Sequence, residues 1–86
     1  MDLNYTVLVT VVYPDIEAEF DVYIPTTKTV AYVSQLLQKA IIEMIDNSYK
    51  INPNALLVNA RTGEEYDMNN FVLDTTIKNG PKLVVC

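Results

Sequence analysis

Histidine and tryptophan are absent from this sequence of 86 residues, which has two glycines and a single cysteine, Cys86. Histidine is the side chain that most often performs acid–base work near neutral pH, so its absence argues against an enzyme of that kind. A zinc centre needs a group of cysteine and histidine ligands, and an iron–sulfur cluster needs several cysteines. Two isolated glycines cannot build a phosphate-binding loop. We therefore expect no catalytic residue, no cofactor and no metal site.

A lone cysteine also excludes an intrachain disulfide, which suits a reducing compartment. No basic segment precedes the first apolar stretch, since the first positive side chain is Lys28, and a secretory signal is therefore not expected. The longest strongly apolar run, Val7–Tyr13, is far shorter than the roughly 20 residues that span a bilayer. The expectation is a cytoplasmic protein with no direct membrane insertion.

Basic side chains are scarce, with six lysines and arginines against eleven aspartates and glutamates and a formal net charge of −5. Proteins that bind nucleic acid or anionic membranes rely on lysine and arginine, so neither is an expected partner. Half of the residues are hydrophobic, which favours a folded chain over a disordered one. The length suits one domain, which we assign to residues 1–86.

The chain opens with two segments that favour strands. Tyr5–Tyr13 is almost entirely β-branched or aromatic, which predicts the first strand. After a turn that contains proline and aspartate, Ala18–Ile24 alternates between apolar and polar residues. This alternation predicts a second strand with one buried face, and the two strands form a hairpin.

A helix is predicted after Pro25. One of the threonines that follow is expected to cap it: Thr26, Thr27 or Thr29. Apolar residues then recur at helical spacing, predicting a buried face made of Val30, Val33, Leu37, Ala40, Ile41 and Met44. The helix is expected to end near Asp46 or Asn47, before a loop at 52–54.

The remainder reads as short strands separated by turns. Ala55–Ala60 is predicted to be a third strand, Tyr66 to begin a brief fourth one and Leu83–Cys86 to close the sheet, whereas Met68–Ile77 is predicted to be irregular. A hairpin, one helix and two or three more strands predict an α+β roll, with a mixed sheet of four to five strands and the helix across one face. The first and last strands carry apolar residues at both odd and even positions, so both of their faces are apolar, as in central strands. We therefore expect these two strands side by side in the middle of the sheet.

The segment Asp74–Leu83, with the sequence DTTIKNGPKL, resembles the closing part of ubiquitin-like β-grasp domains. Those domains share an aspartate, an isoleucine three residues on, a turn with glycine and a final apolar strand. With the turn at Thr62-Gly63 and the order of elements, the chain is most similar to the bacterial YukD/EsaB type. That resemblance implies a β-grasp and a small cytoplasmic accessory protein of type VII (WXG100/ESX) secretion systems in Gram-positive bacteria. The segments 49–54 and 64–71 match no pattern of that family.

Ubiquitin and the sulfur carriers that share its fold act through a C-terminal glycine pair. The sequence here ends in Leu83–Cys86 with no such pair, so covalent conjugation is not expected. The leading hypothesis is a non-covalent protein-binding module whose partner is a component of the secretion machine. The alternatives are a self-associating structural domain that forms a homodimer and, ranked below it, a modifier or sulfur carrier.

Three surfaces are candidates for a protein interface. Alternation along the strands predicts four side chains that point away from the helix: Leu8, Thr10, Leu57 and Val84. Leu56 and Val58, on either side of Leu57, are predicted to point towards the helix. Such a patch of apolar side chains on neighbouring strands is typical of a binding surface.

The second surface is the acidic side of the second strand, where Glu19 and Asp21 follow Glu17. Charges on an edge strand discourage aggregation between strands, and they also steer basic partners. The third surface is the outer side of the helix, where Tyr32 and Ile42 interrupt a polar face. They lie about 80° apart around the helix axis, so either a small groove between them or a contact with a second partner is expected.

Overall fold

The structure is a computed structural model that describes residues 5–44 and 50–86. Over those residues the chain forms one α-helix and four strands, in the order β1 (Thr6–Tyr13), β2 (Ala18–Pro25), α1 (Val30–Met44), β3 (Leu57–Asn59) and β4 (Lys82–Val85). The strand order in the sheet is β2-β1-β4-β3, with β1 and β4 parallel and the two outer pairs antiparallel. The helix packs on one face of this mixed sheet. The fold is an α+β roll of the β-grasp type, and it confirms the central position of the first and last strands.

The hairpin of β1 and β2 has a continuous register, from Thr6 opposite Pro25 to Tyr13 opposite Ala18. A short 3-10 helix, Pro14–Ile16, makes the connection, and the next residue has a positive φ of 51°. The predicted alternation of β2 is confirmed, because its apolar residues face the helix and its polar residues face solvent. The partly buried members of that strand pack against the core.

The helix α1 is capped by Thr29, whose Oγ1 accepts a hydrogen bond of 3.1 Å from the Tyr32 N–H. This bond satisfies one of the backbone donors that a helix start leaves free. Four of the six residues predicted to be buried are so: Val30, Val33, Leu37 and Ile41. Ala40 is half-buried. The predicted end of the helix at Asp46 or Asn47 lies outside the described residues.

Met44 was expected in the core but is 62% exposed, so that prediction is wrong. Its position around the helix axis is suitable for burial. However, it lies beside the edge of the sheet that β2 forms, and no strand within residues 5–44 and 50–86 extends the sheet beyond β2. The side chain is therefore left uncovered at the margin of the core.

Two polar residues of α1 are buried as well. The Ser34 Oγ donates to the Ala55 O at 3.2 Å. The Gln38 side chain donates to the Asn52 O at 3.0 Å and accepts from the Asn52 N–H at 2.6 Å. Buried polar groups need such partners, and these bonds attach the segment after the helix to the side of the helix.

The third strand is shorter than predicted, since Leu57–Asn59 replaces Ala55–Ala60. Its two faces are also reversed. Leu57 is fully buried, whereas Leu56 and Val58 are half-buried. The prediction that Leu57 points away from the helix is wrong.

The pairing of β3 with β4 explains this reversal. Leu57 lies opposite Val85, which is buried, and Val58 lies opposite Val84. Three consecutive apolar residues at 56–58 carry no alternation of their own, and a shift of one residue exchanges the faces of a strand. The partner strand therefore decides which of the three is buried.

Tyr66 does not begin a strand. Its neighbour Glu65 forms an isolated bridge with Val58, while the Tyr66 side chain is 4% exposed and packs in the core. The segment predicted to be irregular contains one 3-10 helix, Val72–Asp74, and the start of another, Thr76–Asn79.

Candidate functional site

The sheet face opposite α1, which we call the outer face, is not covered by any element within residues 5–44 and 50–86. The strand registers arrange its side chains in three rows across the sheet. From β2 towards β3, the rows are Tyr23 and Leu8; Asp21, Thr10 and Lys82; and Glu19, Val12, Val84 and Val58. Leu8, Thr10 and Val84 therefore share one face, as predicted, and the position assigned to Leu57 belongs to Val58.

Two parts of the outer face are apolar. Leu8 and Tyr23 lie directly opposite each other on β1 and β2 and are 47% and 61% exposed. The second part is the valine row, Val12, Val84 and Val58, which crosses three adjacent strands. Its members are half-buried because each is shielded by its neighbours. Both parts lie near enough to be contacted by a single partner.

A polar strip separates these two parts. The Lys82 Nζ lies 2.9 Å from the Glu19 Oε1, and the Thr10 Oγ1 donates to the Asp21 Oδ1 at 2.6 Å. Lys82 is on β4 and Glu19 on β2, so their ion pair passes over β1, which lies between them. Both side chains are about half exposed, and such an ion pair stabilises a fold by less than about 1 kcal/mol. The apolar patch predicted from the sequence is therefore divided by an ion pair, and breaking that ion pair costs little free energy.

The outer side of the helix does not form the predicted groove. Tyr32 is 50% exposed, and the Lys28 Nζ lies 5.3 Å from the centroid of its ring. A shallow depression beside Tyr32 is lined by Gln35, Leu36 and Lys39. Ile42 is half-buried and lies ten residues further on, which is about 15 Å along a helix. Tyr32 and Ile42 are thus exposed separately.

An open polar cleft of about 620 Å³ was not predicted from the sequence. It lies at the end of the sheet and is lined by Asn59, Arg61, Thr62, Glu64, Thr76, Asn79, Pro81 and Lys82. The signal that could have indicated it is the polar character of Arg61, Thr62 and Glu64, which lie in the turn predicted around Thr62-Gly63.

Side chains at the buried side of this cleft form hydrogen bonds with other groups of the protein. The Asn59 Oδ1 accepts from the N–H groups of Arg61 and Thr62 at 2.9 and 3.1 Å. The Asn59 Nδ2 donates to the Tyr66 hydroxyl at 3.1 Å, which is 2.8 Å from the Thr76 Oγ1. The network holds the turn that follows β3. The side chains of Asn59 and Thr76 are engaged by the fold in this way, so the cleft is not where we place the main function.

The parts of the chain that the structure describes contain no group of three or more acidic, cysteine or histidine side chains that could hold a metal ion. Cys86 is exposed. In the same parts, no helix has the length and apolar character that crossing a bilayer requires.

Comparisons with known proteins show the fold. No protein-family model and no curated protein matches the sequence. Among solved structures, a chain of "Toluene 4 monooxygenase HD Complex with Inhibitor 4-Bromobenzoate" is similar with a TM-score of 0.67 and 8% identity, and the match covers 93% of this chain and 95% of that one.

A chain of the "MycP5-free ESX-5 inner membrane complex, State II" is similar with a TM-score of 0.66 and 11% identity. The match covers 95% of this chain and 21% of that one, so the whole of this fold corresponds to one part of a much longer protein. At these identities both comparisons describe a shared architecture. They show that this fold occurs both as a chain of similar length and as a part of a larger chain.

Proposed function

We propose that this chain is a non-covalent protein-interaction module and a small cytoplasmic accessory or regulatory component of a bacterial type VII (ESX/WXG100) secretion system. The observation that carries the proposal is the uncovered outer face, where the Leu8–Tyr23 pair and the valine row present apolar surface on adjacent strands. The link to secretion is supported by the resemblance of Asp74–Leu83 to the YukD/EsaB type. A chain of the ESX-5 inner membrane complex that contains this fold adds weaker support.

Single exposed apolar side chains are common on protein surfaces and need no explanation. The outer face differs because its apolar residues are neighbours across strands, and contiguous apolar surface of this kind marks interfaces. A typical interface has an apolar centre with polar groups that pair across it. The polar strip supplies such groups, since Lys82 and Glu19 can exchange their ion pair for contacts with a partner.

The proposal does not include catalysis. The chain has no histidine, and two polar residues that line the open cleft, Asn59 and Thr76, form hydrogen bonds with the Tyr66 hydroxyl. It acts by binding, and the rigid sheet holds the apolar residues of the outer face at fixed spacing.

Affinity capture from the native host tests this function. The tagged protein should retain components of the secretion machine. Leu8→Glu should reduce the recovery of these components at least tenfold, because it replaces one of the two apolar side chains of the Leu8–Tyr23 pair with a charged one. Leu73→Glu is the matched control, since Leu73 is 54% exposed and lies in a 3-10 helix outside the four strands. The Leu73→Glu variant should recover the same amount of the secretion components as the unaltered protein.

Two results would contradict the proposal. One is a capture that lacks secretion components. The other is equal recovery with Leu8→Glu and Leu73→Glu. If Leu8→Glu instead disrupts a dimer of the purified protein, as measured by sedimentation over a range of concentrations, the outer face serves self-association and the proposed partner is wrong.

A further inference from the structure

The edge of the sheet formed by β2 has a regular pattern of backbone hydrogen bonding on one side. The Thr26 N–H donates to the Tyr5 O at 2.9 Å, and the register places these residues opposite each other. Hydrogen-bonded pairs alternate along an antiparallel ladder. The backbone groups that point towards β1 are therefore those of the residues at even positions: Ala18, Phe20, Val22 and Ile24.

The backbone N–H and C=O groups of Glu19, Asp21 and Tyr23 consequently point away from β1. Among residues 5–44 and 50–86, no strand lies beside them, because β2 is the outermost strand. Unpaired groups on a sheet edge are a template on which another extended chain can add. The edge is straight and continuous, since the register of the hairpin contains no bulge.

An apolar groove of about 120 Å³ lies next to this edge, between β2 and the C-terminal half of α1. Its lining is apolar apart from Asp21 and includes Phe20, Val22, Ile41 and Met44. Met44 is the exposed side chain whose burial was expected, so the groove is where no element among residues 5–44 and 50–86 covers the core. An apolar cavity of roughly 150 Å³ holds a molecule of benzene. The groove is therefore near the size of one apolar side chain.

Strand geometry determines the kind of chain that fits. Residues of an added strand that lie opposite Glu19, Asp21 and Tyr23 would point to the outer face, and the residues between them would point towards α1. The second set would face the groove, which favours apolar side chains and has room for one of them. The residues opposite Glu19 and Asp21 would lie about 5 Å from acidic side chains, where lysine or arginine is favoured.

Charge argues against a second copy of this chain as the occupant. From Pro14 to Thr27 the chain has no basic residue and has four acidic ones: Asp15, Glu17, Glu19 and Asp21. An antiparallel pair of β2 strands centred on Asp21 would place that carboxylate opposite its own counterpart, and like charges in direct opposition are destabilising. A basic partner gains from the same residues.

We infer that β2 is a strand-addition site for an extended segment of a partner protein, about seven residues long, in which apolar residues alternate with lysine or arginine. The backbone of Glu19, Asp21 and Tyr23 binds the added strand, and the groove beside Met44 receives one of its apolar side chains. This site goes beyond the proposed function because it depends on backbone groups of β2 and on the groove, and not on the side chains of the Leu8–Tyr23 pair or of the valine row. Either surface can therefore fail its test without affecting the other.

Titration with synthetic peptides tests the inference. The probe is a nine-residue peptide in which isoleucine alternates with lysine, and the control has the same composition in an order without alternation. Nuclear magnetic resonance should show shifted amide signals from Glu19 to Tyr23 and from Ala40 to Met44. Calorimetry should show at least tenfold tighter binding of the alternating peptide, with affinity falling as salt is added.

A pair of substitutions at one position separates backbone pairing from charge. Asp21→Pro removes an N–H that points away from β1, a position where an edge strand tolerates proline. Asp21→Ser removes the same carboxylate and keeps the N–H. The proline variant should bind the alternating peptide at least tenfold more weakly than the serine variant.

Met44→Lys provides a second variant with little risk to folding, because Met44 is 62% exposed. It places a positive charge at the groove and should weaken binding of the alternating peptide at least tenfold, whereas Leu8→Glu should retain binding. The inference would be overturned if both peptides bound equally or if shifts were confined to the outer face. It would also be overturned if Asp21→Pro and Asp21→Ser bound alike, or if the edge bound another copy of the chain in preference to the peptide.

Discussion

At the scale of single residues, the two glycines show how the same backbone conformation can carry different constraints. Gly63 and Gly80 both have a φ of +76°, in the region that residues with a Cβ avoid. A Cβ on Gly63 would have no heavy atom within 4 Å, whereas one on Gly80 would lie 2.8 Å from the Leu8 backbone O. The turn before β4 is thus packed directly against β1.

Alanine at each glycine should therefore have a different cost. We expect Gly63→Ala to lower the free energy of unfolding by about 1–2 kcal/mol, the cost of the left-handed backbone. Gly80→Ala should lose a further 1–3 kcal/mol or so, because the clash is with backbone that cannot rotate away. Urea denaturation of both variants measures the difference. Equal losses would show that the close approach to Leu8 has no energetic effect.

Two threonines next to the helix are expected to respond to valine in opposite directions. Thr26 is 4% exposed and its Oγ1 has no hydrogen-bond partner among the described residues, a condition that costs about 1–3 kcal/mol. Thr26→Val should therefore raise the free energy of unfolding. Thr29→Val should lower it by about 1 kcal/mol because the Thr29 Oγ1 caps α1. Thermal denaturation checks both signs, and destabilisation by Thr26→Val would mean that its hydroxyl is satisfied.

At the scale of elements, the register of β3 decides which leucine can be part of an interface. Leu57 is fully buried opposite Val85, and Leu8 is 47% exposed on the outer face. The prediction from the sequence placed both on the same surface. A strand of three residues relies on its partner for its orientation, because it is too short to show an alternation of its own.

Glutamate at these two positions should separate folding from binding. Leu57→Glu buries an unpaired carboxylate and should leave the domain largely unfolded, since small domains have little stability to lose. Leu8→Glu should change the free energy of unfolding by about 0.5 kcal/mol or less, as surface substitutions do. Far-ultraviolet circular dichroism during thermal denaturation measures both. A folded Leu57→Glu variant with unchanged stability would contradict the register of β3.

The helix shows a second effect at this scale. Gln38 is fully buried, yet its side chain exchanges two hydrogen bonds with the backbone of Asn52. Polar residues on a helix are ordinarily expected on its solvent side. Here they face a segment that also has polar backbone groups to satisfy, so burial and polarity are compatible.

At the scale of the whole molecule, a single helix against a four-stranded sheet leaves two surfaces without a cover among the described residues. One is the outer face, with its polar strip between two apolar parts. The other is the β2 edge, with its groove beside Met44. The capture experiment with Leu8→Glu concerns the first, and the peptide titration with Asp21→Pro concerns the second. The β2 strand belongs to both surfaces, since it contributes side chains to the outer face and backbone groups to the edge.

The sequence by itself determined the features that depend on neighbours along the chain. The alternation of Ala18–Ile24 predicted which side of β2 is buried, and the spacing of apolar residues predicted α1. Apolar residues at both odd and even positions of the first and last strands predicted that β1 and β4 lie at the centre of the sheet. These patterns are local consequences of a period of two or of 3.6 residues. They were sufficient to predict an α+β roll and to place Leu8, Thr10 and Val84 on one face.

Tertiary structure alone decided the features that depend on residues far apart in the chain. Leu57 is buried because β4 sets the register of β3, and Met44 is exposed because no strand in the described part of the chain extends the sheet beyond β2. The ion pair of Lys82 with Glu19 joins residues 63 positions apart and divides the predicted patch. Local patterns carry no information on such pairings, because which strands become neighbours is decided by how the whole chain packs.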